Sequence, residues 1–134
     1  MEVKAKAKGI RMSSRKVRLV VDVIRGMKVG QAQTQLHFMK KAAAEPVLKL
    51  LNSAIANATH NFQLDESNLF VKAIAADGGP TLARWRARAF GKSAPIRKRT
   101  THISIILDEL VPKSAPSIEK TAPAKDGAKA VLAN

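Results

Sequence analysis

Cysteine is absent from this 134-residue chain, and only ten acidic residues stand against 24 lysines and arginines. The lack of cysteine excludes disulfides, thiolate catalysis and cysteine-ligated zinc sites. Aromatic residues make up only 4% of the chain, so any core must be aliphatic. No apolar run approaches the roughly 18 residues that span a bilayer, and the charged start MEVKAKAK lacks the apolar segment of a secretory signal. These absences predict a small cytosolic protein with no membrane partner.

The shortage of acids leaves a formal net charge of +14 and a pI near 10.7. A domain pI above about 9 is typical of proteins that bind nucleic acids. Self-repulsion at such a charge opposes the compact state unless a polyanion neutralises it. The composition therefore favours a nucleic-acid partner over a role for the charge in solubility alone.

Hydrophobic periodicity predicts a single α+β domain over residues 1–110. Apolar side chains at helical spacing indicate three helices, and alternation of apolar with polar residues indicates three strands. The segment DGGP at 77–80 is consistent with a turn or with a bulge inside a longer strand. The predicted helices and strands cover residues 14–25, 29–39, 42–58, 1–8, 69–76 and 102–108.

After Leu110 the chain becomes rich in proline, alanine, lysine and serine and loses its periodicity. This composition predicts a flexible or extended tail over residues 111–134.

The histidines His37, His60 and His102 are scattered without ligand spacing, so we predict neither a metal nor a cofactor. The sequence contains no phosphate-cradling glycine motif, and we predict no catalytic residue.

The stretch TLARWRARAFGKSAPIRKRTTH contains seven lysines and arginines and no acid. Arg84, Arg86 and Arg88 are spaced by two, so a strand would place all three on one face. A structureless loop of this length is improbable inside a compact domain. The pattern instead predicts a long antiparallel ribbon at about 78–102 that reverses near 91–93. Because an isolated two-stranded ribbon is marginal in water, we expect it to be mobile until it binds a polyanion.

Residue types in the ribbon indicate what that polyanion is. Arginine predominates over lysine, and its planar guanidinium binds phosphate bidentately and stacks on bases. Trp85 has two interpretations of equal weight, stacking on a nucleobase or packing against the opposite strand. Arg15 and Lys16 stand in the first turn of a predicted helix, where the helix dipole prefers acids. That placement indicates phosphate contact, with a solvated basic face as the alternative.

The segment RARAFGKSAPIRKRTTHISIIL resembles the signature of the bacterial large-subunit ribosomal protein family L-twenty-two. The segments SSRKVRLVVDVIRG and LKLLNSAIANATHN are also similar to this family, and the likeness covers about residues 3–110. Where the family motif usually begins with a basic or amide residue, this chain has Ala83. The positions that fit the signature are Arg88, Ala89, Gly91, Lys92, His102, Ile103, Ile105 and Leu107.

The resemblance implies three helices packed on a small antiparallel sheet, a long projecting β-hairpin and a flexible C-terminal tail. In this family the globular part lies near the exit of the polypeptide tunnel, and the hairpin reaches inward through 23S rRNA. The implied partners are 23S rRNA, neighbouring large-subunit proteins and the nascent polypeptide, without self-association. The implied tunnel-lining residues are Leu82, Ala83, Arg84, Arg88, Ala89, Phe90, Gly91, Lys92, Ser93 and Ala94.

Three hypotheses follow. The leading one is a structural rRNA-binding protein that joins RNA segments during subunit assembly, with counterion release supplying affinity. The second is an architectural DNA-binding protein with β-ribbon arms, which usually needs a dimer. The third is a nucleic-acid-processing enzyme using His102 or His37, although no matched acid–base pair accompanies them. The predicted RNA-binding residues are Lys4, Lys6, Lys8, Arg11, Arg15, Lys16, Arg18, Arg25, Arg84, Trp85, Arg86, Arg88, Lys92, Arg97, Lys98, Arg99 and His102.

Overall fold

A computed structural model describes residues 1–110, and the predicted tail lies outside the described residues. The predicted α+β class is confirmed, because three helices pack on an antiparallel sheet within this range. No helix in the described range is long and apolar enough to cross a membrane. The elements are β1 (Val3–Ile10), α1 (Ser14–Ile24), α2 (Val29–Phe38), α3 (Ala44–Phe62), a short 3₁₀ helix (Glu66–Asn68), β2 (Leu69–Gly78), β3 (Leu82–Ala87), β4 (Ser93–Lys98) and β5 (Thr101–Glu109).

The main sheet has the strand order β1-β5-β2, and both outer strands are antiparallel to β5. Ile103, Ile105 and Leu107 alternate along β5 and are fully buried, as the period-two geometry of a strand requires. α3 packs against β1 and β5, and α1 packs against β2. The helices therefore cover one face of the sheet, and the other face is left open for polar side chains.

The helices bury the apolar stripes that the sequence predicts. Burial of each large aliphatic side chain contributes roughly 1.5–3 kcal/mol, so these stripes are the main source of the fold's stability. α3 continues four residues beyond its predicted end at Ala58. It stops where Gln63 adopts a left-handed conformation (φ 53°) and donates its backbone N–H to the Ala58 carbonyl. The buried stripe residues of α1 and α3 are Val17, Val20, Val21, Ile24, Ala44, Val47, Leu50, Leu51, Ala54, Ile55 and Ala58.

β3 and β4 form a separate two-stranded hairpin that leaves the sheet between β2 and β5. The predicted ribbon is thus confirmed, and its paired strands span 82–98. None of the residues 82–98 is buried. The hairpin projects from the body and contributes nothing to its core.

Side-chain and backbone hydrogen bonds hold the base of the hairpin. The Gly79 N–H donates to the Thr100 carbonyl (2.9 Å), and the Thr100 hydroxyl donates to the Pro80 carbonyl (2.6 Å). The hydroxyl of Thr101, which is fully buried, donates to the carbonyl of Met12. The first two bonds join the two arms of the hairpin to each other, and the third links the second arm to the segment that precedes α1.

Gly79 also explains the role of the glycine pair in this segment. A Cβ on Gly79 would lie 2.5 Å from Thr100 Oγ1 and 3.0 Å from His102 Cε1. β2 runs through Gly78, which pairs with Thr101, so the glycines do not form a turn. The bulge of β2 lies instead between Val71 and Ala73, and the glycine at 79 permits close approach of the two arms.

Candidate nucleic-acid interface

Acidic residues collect at the end of the sheet farthest from the hairpin. The N-terminal ammonium lies 3.0 Å from Asp108 Oδ1, and Lys72 Nζ lies 2.7 Å from both Glu2 and Asp108. The hydrogen bond from Lys72 lowers the pKa of Asp108 to about 2, with the N-terminal ammonium acting in the same direction. The hydrogen bond from Lys72 also lowers the pKa of Glu2. This end of the molecule therefore balances its charges internally.

The hairpin end has no such balance. Its seven cations are all exposed, and within residues 1–110 none of them has an acidic partner. Their electrostatic repulsion is relieved only by solvent and counterions, which a polyanion would displace. These cations are Arg84, Arg86, Arg88, Lys92, Arg97, Lys98 and Arg99.

The register of the hairpin gives it two different faces. Arg84 pairs with Ile96, Arg86 with Ala94 and Leu82 with Lys98, so these side chains share one face. The other face carries Trp85 opposite Pro95 and Ala83 opposite Arg97. The predicted sharing of a face by Arg84 and Arg86 follows from this register, whereas Arg88 lies beyond the end of β3 in the reversal.

Trp85 has a cross-strand neighbour and an exposed ring. Proline has no N–H, so its pair with Trp85 is a non-hydrogen-bonded one, in which the side chains lie closer together. The indole is nevertheless 69% exposed. The ring therefore has Pro95 as a cross-strand neighbour and retains ample surface for a stacked base.

A groove of about 920 Å³ lies where the hairpin base meets the body. It is bounded by the segment that leads into α1, by the loop between α2 and α3, and by the end of β4. Six cations and no acid line it, together with apolar and small side chains. The six cations are Arg11, Lys16, Lys41, Arg97, Lys98 and Arg99.

The start of α1 adds to the positive potential of this groove. Ser13, the residue at the N-cap position, makes no side-chain capping bond, and the first turn contains no acid. Both Ser13 and Lys16 line the groove. The uncapped N–H groups and the positive end of the helix dipole thus act with the six cations, as at other helix termini that bind anions.

Lys41 was missed by sequence reasoning. Lys40 and Lys41 stand in a loop with no periodicity, and nothing in the local pattern indicates that this loop meets the hairpin base. Only the packing of α2 on α3 brings Lys41 to Arg97 and Arg99. The Lys-Lys pair is followed by no acid until Glu45, which shows a local positive charge but not where the loop packs.

Arg18 and Arg25 have an intramolecular role that the sequence did not reveal. Arg18 Nε donates to the Ala76 carbonyl (3.0 Å), and an Arg25 guanidinium nitrogen lies 3.3 Å from the Ile74 carbonyl. β2 is an edge strand, so these carbonyls lack a strand partner. The two arginines thereby attach α1 to the edge of the sheet, and their predicted RNA contacts would use the remaining guanidinium N–H groups.

The other predicted residues lie on two further surfaces. Lys4, Lys6 and Lys8 are exposed along β1, and Lys4 also lies 3.6 Å from Glu2. His102 is half-buried, and its Nδ1 accepts a hydrogen bond from the Gly9 N–H (3.0 Å). Arg15 is exposed on the first turn of α1.

The predicted tunnel-lining residues fall into two separate groups on the hairpin. Residues 88–94 form its tip, and all are exposed except the half-buried Ala94. Leu82, Ala83 and Arg84 instead pair with Lys98, Arg97 and Ile96, closer to the base. At about 3.3 Å per residue, the length of β3 separates Leu82 from the tip.

No group of three or more His, Asp or Glu side chains in the described range could hold a metal ion.

Comparison with known proteins identifies the family of this chain. Residues 5–108 match the family model described as ribosomal protein L22p/L17e. The large ribosomal subunit protein uL22 of Syntrophus aciditrophicus is 54% identical over 109 residues, which cover 81% of this chain and 99% of the relative. The uL22 proteins of Desulfotalea psychrophila and Desulfitobacterium hafniense are 53% and 52% identical, again over 81% of this chain and over 99% and 95% of their own lengths. The chain therefore belongs to the ribosomal protein L22p/L17e family.

Proposed function

We propose that this protein binds 23S rRNA through its hairpin and the groove at the hairpin base, and that it supports assembly of the large subunit. Membership of the family makes it a structural protein of the large ribosomal subunit, which in bacteria is cytoplasmic. Residues 1–110 would act as one RNA-binding unit, and we assign this unit no catalytic role.

The observation that carries the proposal is the groove of six cations. Its cations come from three separated parts of the chain and converge with no acid among them. Such convergence opposes folding unless anions occupy the groove, because like charges in one cavity repel each other. An RNA backbone supplies closely spaced phosphates, and each neutralised phosphate releases counterions that favour binding.

The hairpin would extend this contact into the RNA. The face with Arg84, Arg86 and Lys98 is suited to phosphate, and the face with Trp85 is suited to an unpaired base. Following the family resemblance, residues 88–94 at the tip would line the wall of the polypeptide exit tunnel. Neighbouring large-subunit proteins and the nascent polypeptide are then the expected further partners, and the protein acts as a monomer.

Two charge-matched variants of the full chain test the groove. Arg97→Gln/Arg99→Gln removes two groove cations, and the control Lys28→Gln/Lys49→Gln removes two exposed lysines that do not line it. Binding to 23S rRNA fragments and to duplex DNA of equal charge is measured across a salt series.

We expect the groove variant to reduce the slope of log K against log salt for 23S fragments by about 1.4 to 1.8, since each of the two lost phosphate contacts contributes about 0.7–0.9. The control should bind as the unsubstituted protein does. Equal losses in both variants would contradict a specific groove. Equal affinity for duplex DNA, together with dimerisation, would favour the architectural DNA-binding alternative.

A further inference from the structure

The hairpin reverses through a tight turn whose central residues are Phe90 and Gly91. The Lys92 N–H donates to the Ala89 carbonyl (3.3 Å), and the Arg88 N–H donates to the Lys92 carbonyl (2.8 Å). Phe90 has φ +58° and Gly91 has φ +64°. Positive φ at both central positions is characteristic of a type I′ turn, which selects asparagine, aspartate or glycine at the position that Phe90 occupies.

Phenylalanine is a poor choice for this position on two independent grounds. A bulky residue at positive φ is disfavoured, because its Cβ crowds the backbone. Its ring is also 97% exposed, the highest exposure of any large apolar side chain in the described range. Neither local conformation nor burial within residues 1–110 accounts for an aromatic residue here.

The surroundings of the ring indicate what would cover it. Phe90 has no ring partner in the described part of the chain. The nearest charged side chains in sequence are Arg88 and Lys92, one on either side of the turn, and residues 78–107 contain no acid. An aromatic ring flanked by cations is the arrangement with which proteins hold an unpaired base, the ring stacking on the base and the cations contacting the adjoining phosphates.

We propose that Phe90 stacks on an unpaired RNA base at the hairpin tip. This inference rests on the proposed rRNA binding and assigns the tip a specific ligand, a single unstacked nucleobase between two phosphates. The left-handed backbone conformation of Phe90 leaves its ring 97% exposed at the hairpin tip. An apolar stretch of polypeptide is the competing occupant, and the cations beside the ring favour the nucleic acid.

The experiment compares four substitutions in the full-length protein for binding to 23S rRNA fragments in the absence of nascent chains. Phe90→Asn suits the turn and removes the ring, Phe90→Leu keeps an apolar side chain without a π face, and Phe90→Trp enlarges the π face. Phe38→Asn is the matched control, since Phe38 is 77% exposed on α2 and lies outside the groove and the hairpin. Chemical probing of base reactivity accompanies each affinity measurement.

We expect Phe90→Asn and Phe90→Leu to lower affinity about five-fold or more, the loss of one stacked base. Phe90→Trp and Phe38→Asn should bind like the unsubstituted protein. The salt slope should stay unchanged in every variant, because no charge changes. One or a few bases should gain reactivity in Phe90→Asn and remain protected in Phe90→Trp.

Other results overturn the proposal. If Phe90→Leu binds as tightly as phenylalanine, the contact is apolar and not a stacked base. If Phe90→Asn binds and protects RNA normally, the ring faces another partner such as the nascent polypeptide. Neither result affects the groove, whose test depends on the salt slope of Arg97→Gln/Arg99→Gln, so failure of the stacking inference is distinguishable from failure of the proposed function.

Discussion

The body and the hairpin of this protein differ in the burial of their apolar side chains and in the pairing of their charges. Every buried apolar side chain in the described range lies outside residues 82–98. The body also pairs many of its charges, as Lys72 does with Glu2 and Asp108. The hairpin strands contain no fully buried residue, and within residues 1–110 none of the hairpin cations has an acidic partner. A region that neither buries apolar surface nor neutralises its charge depends on a partner, and its composition indicates which one.

Local chemistry nevertheless gives the hairpin a defined shape. The cross-strand register is continuous from the Leu82–Lys98 pair to the Ala87–Ser93 pair. The Arg84 guanidinium donates to the Ala83 carbonyl (2.6 Å), which satisfies an outward-facing group of an edge strand. The hydroxyl of Thr100 joins the two arms at the base, and the hydroxyl of Thr101 attaches the base to the segment before α1. Two isolated strands are marginal in water, so we expect the hairpin to become fully ordered only when a bound polyanion adds to these bonds.

Removal of the hairpin is the strongest way to separate the two regions. Residues 82–98 are replaced by a two-glycine linker, which leaves Thr100, Thr101 and the whole sheet in place. Because no core residue is lost, we expect cooperative thermal unfolding of the body to persist within a few degrees. Affinity for 23S rRNA fragments should fall at least about 100-fold, since six exposed cations are removed. Circular dichroism and filter binding measure the two effects. An unfolded product would show that the hairpin belongs to the core.

Gly79 tests the junction between the regions. In Gly79→Ala the new methyl group would meet Thr100 Oγ1 and His102, which should destabilise the protein by about 1–3 kcal/mol, the usual cost of overpacking. The matched change Gly30→Ala places a methyl group in open space on α2, and it should stabilise by up to about 1 kcal/mol. Denaturant unfolding measures both free energies. Equal effects of the two substitutions would mean that the junction tolerates a side chain.

The smallest expected effect concerns the paired charges at the acidic end of the body. The hydrogen bond from Lys72 depresses the pKa of Asp108 from its ordinary 3.8 to about 2. A depressed carboxyl pKa stabilises the fold above about pH 4, and this contribution is lost as the pH falls toward 2. We expect the melting temperature to fall between pH 4.5 and 2, and to fall less in Asp108→Asn. Asp77→Asn, at a carboxylate without an ion pair within residues 1–110, is the control. Equal pH profiles in all three proteins would mean that Asp108 does not contribute to the pH dependence of the melting temperature.

The helices and strands of the body were predictable because their signals are local. One face of α1 carries Val17, Val20, Val21 and Ile24, whatever the angle at which the helix packs. Along β5, buried and half-buried side chains alternate regardless of the neighbouring strands. The end of α3 was less predictable. The residues after Ala58 are mostly polar and exposed, so hydrophobic periodicity ends before the backbone hydrogen bonds do.

The candidate interface was predictable in kind and less so in its geometry. The run of arginines between 84 and 99 indicated an anionic partner, because charge of one sign is visible without a fold. The contribution of Lys41 and the attachment of Arg18 and Arg25 to β2 were not visible. Each depends on contacts between residues that are far apart in the chain, and the local sequence pattern does not show which distant residues come together.

By itself the sequence determined the aliphatic core, the helix and strand periods, the basic ribbon and, through its motif, the family. All of these follow from composition or from spacing over a few residues, which folding does not alter. Only the tertiary structure decided that Arg11, Lys41 and Arg97 share one groove, that Gly79 marks a close approach of two strands, and that Phe90 stands fully exposed in a left-handed turn. These features arise from long-range packing, in which the position of each side chain is set by elements far from it in the chain.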